Sequence, residues 1–376
     1  MSTAGTAGAA FAGAGGLSLG DAGAPPDAGS PGDGGSGGGG GEAGGGSLRI
    51  CLDSTDCEPG APCVRGQCGE PPRQLNVSAS CGSIRLTAAG QVLYWTEKAS
   101  GKVSSVPAAG GQAPTELATG QKNPTQIAAD ETAVYWVNEG DGTASSSTLM
   151  KKLPTQAPVV LATSPDATPI LAVAVHAGRV YYGLGHDVHS LSALDGSDDI
   201  IVGTATNYDI DFPVGLPSGE PAALAVTDTF VFWTTAERQG VEREDVMEGQ
   251  LPNGTDTSGY RELGESQGSL VLHDIGAKGR FAYWANGANV FRASEAPPEP
   301  IAQLLDFSSV VSLAISDSQI YLATDTGEIL RHSLAPDVAT PPALLAVEQN
   351  GLLSVAVDDA NVYWATDDCI LRSTPL

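Results

Sequence analysis

The stretch QVLYWTEKASGKVSSVP, Gln91–Pro107, sets two bulky aromatics side by side in a short apolar run, follows them with a charged turn, and then alternates apolar with polar residues. Adjacent residues of a strand point to opposite faces of the sheet, so Tyr94 and Trp95 are both satisfied only where both faces are covered. A single sandwich core would favour apolar-polar alternation at this point.

The doublet recurs. VLYWTE is followed by AVYWVN (Tyr135-Trp136), RVYYGL (Tyr181-Tyr182), FVFWTT (Phe232-Trp233), FAYWAN (Tyr283-Trp284), QIYLAT (Tyr321-Leu322) and NVYWAT (Tyr363-Trp364), at steps of 41, 46, 51, 51, 38 and 42 residues. All five tryptophans of the chain occupy this slot. Around each copy the same order returns: an apolar run, a tight polar turn, the aromatic strand, a polar loop, an alternating strand and a last short run. Four short strands per repeat of roughly 40–45 residues is the period of a β-propeller blade. Helix is disfavoured because the runs are short, rich in β-branched and aromatic residues, and bounded by Gly, Pro, Asn and Asp. The expected fold is therefore all-β, a seven-bladed propeller of four-stranded antiparallel blades over residues 72–376, with each doublet packing between neighbouring blades.

The repeat resembles the YWTD and NHL-like propellers, the likeness lying in YWTE, YWVN, FWTT, YWAN and YWAT and covering about the last 300 residues. The resemblance implies blades but no particular activity. Two departures stand out: the acidic fourth position appears only at Glu97, and seven doublets imply seven blades where the YWTD family has six.

The sequence stops after the third strand of the seventh repeat, CILRSTPL, so that blade lacks an outer strand. RQLNVSAS, just before the first inner strand SIRLTAAG, is the expected donor, an exchange that closes the ring. Cys81 ends this donated segment and Cys369 opens the strand beside it, so a Cys81–Cys369 disulfide is expected to lock the closure, with buried free thiols as the alternative. Closing so long a loop is worth on the order of 4–5 kcal/mol in the chain-entropy account.

Upstream the composition changes. Residues 1–48 are Gly, Ala, Ser and Pro with a few Asp, a composition expected to remain a disordered flexible tether. Residues 49–71 hold Cys51, Cys57, Cys63 and Cys68 in CLDSTDCEPGAPCVRGQC, read as two disulfides stapling a module too small for its own core. Zinc is the rival reading, although the CxxC knuckles of zinc sites are missing. The pattern is similar to short Cys-rich modules that precede larger domains in predicted secreted bacterial proteins.

The net charge of -26 repels polyanions, which argues against nucleic acid and anionic membrane partners. No apolar run reaches the length of about 20 residues that a spanning helix needs, and the N-terminus has no basic region preceding its weak Ala/Gly stretch. An extracytoplasmic location, secreted or at the cell surface, is expected from the cysteines alone, and a monomer is expected.

Functional residues are harder to place. The loops after the aromatic strands carry Glu97, Glu139, Asp141, Asp187, Glu242, Asp325 and Asp367, an acidic rim expected to engage a protein or carbohydrate. No DxDxDG loop accompanies them, so a solvated rim is favoured over a structural calcium site and no cofactor is expected. Gln126, Glu220, Gln267 and His273 are the candidates for the central channel. GHDVH, with His186 and His189 flanking Asp187, has weak metal potential. GxSxG elbows, phosphate loops and CxxCH motifs are missing from the sequence. The leading expectation is a non-enzymatic binding or scaffold propeller, helped by the charged segment TTAERQGVEREDVMEG of the fourth repeat. A metal-dependent hydrolase or lyase at the channel and a purely structural spacer are the alternatives.

Overall fold

The Tyr-Trp slot organises the whole ring in three dimensions. In the computed structural model, which describes residues 51–64, 67–77, 83–204, 220–236, 243–251, 261–267, 274–287, 289–295, 298–306, 309–335 and 341–376, the repeats form seven four-stranded antiparallel sheets. Blade 1 runs outward through Ile84–Ala89, Val92–Glu97, Lys102–Pro107 and Thr115–Ala118, and the next five repeat this order. The inner strands of blades 2 to 7 are Pro124–Ala129, Ile170–His176, Glu220–Val226, Ile275–Lys278, Val310–Ile315 and Leu352–Val357.

Seven apolar clusters hold these blades together, and each joins two neighbours by the same rule. The second doublet residue of one blade packs with the first doublet residue of the blade before it. The pairs are Trp136 with Tyr94, Tyr182 with Tyr135, Trp233 with Tyr181, Trp284 with Phe232, Leu322 with Tyr283, Trp364 with Tyr321 and, across the closure, Trp95 with Tyr363. One residue of each doublet thus serves each face of its sheet, which is why the pattern places two large side chains next to each other.

Blade 7 is completed as the sequence requires. Arg73–Val77 pairs antiparallel with Ile370–Pro375, with Val77 opposite Ile370, and supplies the missing outer strand. Cys369, immediately before that strand, is disulfide-bonded. Cys81 lies outside the described residues, as do the 1–48 segment, Glu242 and His273.

The Cys-rich module contains two disulfides, Cys51–Cys63 and Cys57–Cys68, around a short 3-10 turn capped by Asp53 and a two-stranded ribbon. Pairing of all four sulfurs removes the thiolates that zinc would need. The module belongs to the same compact unit as the ring, Leu48–Leu376. The Val347 amide, just past the outer strand of blade 6, donates to the Gly60 carbonyl at 3.2 Å.

In blade 4 the charged segment is not simply an extended loop. Phe230–Ala236 and Arg243–Gln250 carry the second and third strands through much of it, and Val246 sits opposite Thr234 in the core. A single buried apolar residue among charges was too weak a signal to mark that strand.

Candidate functional site

Each inner strand begins at the same face of the ring, and that is where side chains converge. The residue opposite the second doublet position is apolar in every blade: Leu86, Ile127, Val173, Leu224, Ile275, Leu313 and Val355. The residue just before it belongs to the other face of the strand. These seven are Arg85, Gln126, Ala172, Ala223, Asp274, Ser312 and Ser354.

Three of them stitch neighbouring blades. Ser354 Oγ accepts from the Leu86 amide at 3.2 Å, Ser312 Oγ from the Val355 amide at 3.0 Å, and Asp274 Oδ2 from the Leu313 amide at 3.3 Å. Each is the same contact, one blade further round. Two of the others reach across the channel. Gln126 Nε2 reaches the Ala222 carbonyl of blade 4 at 3.5 Å, and Arg85 of blade 1 faces Asp274 of blade 5 at 4.0 Å.

Between these groups lies a central cavity of about 230 Å³, lined in part by Arg85, Gln126, Asp274 and Ser354. Above it opens a mouth of about 500 Å³ on the face where the inner strands start. Ile84, Val310, Val311, Leu352 and Leu353 make its apolar wall, while Ser83, Arg85, Asp274, Ser309 and Ser312 supply the polar groups. This mixture of apolar wall and few convergent polar groups is the make-up of small-ligand sites.

Of the channel residues expected from sequence, Gln126 lines the cavity from the inner strand of blade 2. Glu220 opens the inner strand of blade 4 and Gln267 ends its outer strand, but their side chains lie outside the described parts. Arg85 and Asp274 were not anticipated. An Arg inside SIRLTAAG and an Asp inside HDIGAK carry no motif, and only the shared ring position brings them together.

The rim carboxylates are placed less uniformly than expected. Glu97 is 3% exposed: its Oε1 accepts from the Trp95 indole at 2.9 Å and its Oε2 from Ser100 Oγ at 2.7 Å. It is a structural acceptor rather than a rim group. Glu139 takes Lys98 Nζ of the preceding blade at 2.6 Å, and Asp141 takes Lys122 Nζ at 2.9 Å. The Thr143 hydroxyl first, and Lys122 next, hold the Asp141 carboxyl well below the usual carboxylate range. Asp187 accepts from Thr204 Oγ1 at 2.8 Å, and Asp325 and Asp367 stand exposed on the loops of blades 6 and 7. In GHDVH, His189 stacks on Tyr182 and contacts Asp199 at 3.3 Å, while Asp187 turns to Thr204.

The tryptophan acceptor is a recurring part that the sequence hid. Gln121 Oε1 accepts from Trp136 Nε1 at 3.2 Å and Gln349 Oε1 from Trp364 Nε1 at 3.0 Å, each residue lying in the loop that enters its blade. Their amides donate to the carbonyls of Gly101 and Gly327 in the preceding blade, both at 2.9 Å. In blade 1 Glu97 does this work, the one acidic residue at the fourth position of a doublet segment.

No protein-family model and no curated protein matches the chain. Solved structures do. Virginiamycin B lyase from Staphylococcus aureus superposes with a TM-score of 0.61 at 10% identity, over 81% of this chain and 99% of that one. Hydrazine synthase of Kuenenia stuttgartiensis gives 0.60 at 12%, over 80% and 97%. The computationally designed Ika8 protein gives 0.53 at 12%, over 81% and 100%. A lyase, a synthase and a design share this ring, so the likeness speaks for the fold alone.

Proposed function

We propose that the protein is a non-enzymatic, extracytoplasmic binding propeller that takes its ligand at the axial mouth. The observation that carries this reading is the mouth itself, a cavity of about 500 Å³ with an apolar wall and one loosely held charge pair, Arg85 and Asp274, at its floor. Two disulfides in the N-terminal module favour an oxidising compartment, and no helix among the described residues is long and apolar enough to cross a membrane. The acidic rim is secondary in this reading, because Glu97, Glu139 and Asp141 are engaged within the protein. A hydrolase or lyase would gather several carboxylates or histidines at the channel. Asp274, the carboxylate the structure describes there, has its Oδ2 already accepting from Ser312 Oγ at 2.5 Å, while the Glu220 side chain and His273 lie outside the described residues.

The test is to expose the immobilised full chain to small molecules extracted from an envelope fraction, and to identify by mass spectrometry what it retains. A Ser309→Trp variant, which fills the mouth from its edge, is expected to lose that retention. Retention that survives the substitution, or chemical conversion of the retained compound, would sink the reading.

A further inference from the structure

The floor of the mouth carries two opposite charges that are only half used. Arg85 is largely buried at its side chain, with 18% exposed, yet among the described residues its guanidinium meets only the Leu353 carbonyl at 3.4 Å and Asp274 at 4.0 Å. A guanidinium has five N–H donors, more than these two contacts among the described residues use. Asp274 is asymmetric: among the described residues Oδ2 accepts from Ser312 Oγ and the Leu313 amide, whereas Oδ1 has the distant Arg85. At 4.0 Å the pair lies at the outer limit of an ion pair and lacks the short bidentate geometry that makes Arg-carboxylate contacts strong.

We propose that this mouth is a receptor for a zwitterionic α-amino acid with an apolar side chain. This rests on the reading of the mouth as the ligand site. The ligand carboxylate lies on the Arg85 guanidinium and its ammonium on Asp274 Oδ1, so the ligand dipole lies antiparallel to that of the protein pair. In an α-amino acid one carbon separates the two charged groups, which matches charges 4.0 Å apart on the floor. A simple anion would gain Arg85 but face Asp274, and a simple cation would face Arg85 in turn. Only a ligand bearing both charges satisfies both groups. Val310, Val311, Leu352 and Leu353 then receive the apolar side chain, which argues against a sugar or a strongly polar amino acid.

Isothermal titration of the full chain with L-leucine and L-phenylalanine, and with N-acetyl-L-leucine and L-leucine methyl ester, tests this on the wild-type protein. Saturable binding of at least one free amino acid is expected, with both blocked forms of leucine roughly tenfold or more weaker, because each lacks one charge-assisted contact. Arg85→Gln and Asp274→Asn are each expected to weaken binding by a similar factor while the near-UV spectrum of the ring tryptophans is kept. The proposal is overturned if neither amino acid binds at millimolar concentration, if the blocked forms bind as well as the free one, or if acetate alone competes as well as leucine. Should the envelope extract yield a retained compound that Ser309→Trp abolishes while the amino acids fail, the ligand class is wrong and the mouth still stands as the site.

Discussion

Replacing Gln349 by Leu isolates one inter-blade clamp. Gln349 is 5% exposed, its Oε1 accepts from the Trp364 indole at 3.0 Å, and its Nε2 donates to the Val347 carbonyl at 2.5 Å. Leucine fills similar space but leaves the buried indole N–H with no acceptor, a loss of about 1–3 kcal/mol, taken as ~2. For the 329 residues of Leu48–Leu376, an unfolding entropy of about 2.1 cal/mol/K per residue amounts to ~0.7 kcal/mol/K, so the melting temperature is expected to fall by about 3 °C. A double-mutant cycle with Trp364→Phe removes the donor instead. In that background Gln349→Leu is expected to lose most of its cost, with a coupling of about 1–2 kcal/mol read from urea melts followed by tryptophan fluorescence. Additivity of the two substitutions within about 0.5 kcal/mol would refute the clamp and reduce Gln349 to a packing residue.

A non-reducing peptide map is expected to join Cys369 to Cys81, since Cys369 is disulfide-bonded and the four module cysteines pair among themselves; a map with Cys81 as a free thiol contradicts this. Gly101→Ala is expected to cost more than Gly90→Ala, by about 1 kcal/mol or more: both positions have positive φ, but only at Gly101 would a Cβ meet a backbone oxygen, that of Gln121 at 2.5 Å. Equal melting temperatures for the two variants would contradict the close approach. Burial first, and a neighbouring carboxylate next, raise the phenols of Tyr135, Tyr182 and Tyr363 above the ordinary 10.0. The native state thus favours the neutral phenol, so their contribution is complete below pH 10 and is lost as pH rises beyond it. Tyrosinate absorbance is therefore expected to appear together with unfolding, and a non-cooperative titration of all tyrosines near pH 10 in the folded protein would refute it.

The fold was legible because its driving force is local and repeated. A doublet that needs cover on both faces, seven times over, leaves little besides a ring of blades, and a seventh repeat one strand short points to Arg73–Val77. The axial site was hidden for a geometric reason. Blades 2, 3, 4, 6 and 7 have a bulge at the start of the inner strand, for instance between Leu352 and Ser354, while blade 1 pairs regularly through Ile84 and Arg85. A one-residue bulge changes which side chain faces the axis, so counting along the sequence gives no reliable register there. Glu97 illustrates the converse. Its charge suggested the rim, but the indole beside it needed an acceptor, and burial with a partner prevailed over solvation.

The closing strand also sets a schedule. Val77 and its partner Ile370 are separated by almost 300 residues, so a ribosome adding about 5–20 residues per second makes the first of them some 15–60 s before the second. Six blades can stack during that interval, yet both ends of the arc keep open edges until Ile370–Pro375 emerges. Circularity is therefore acquired only once Ile370–Pro375 has been made, and a stall or truncation within that strand would release an open arc with an unpaired strand at each end.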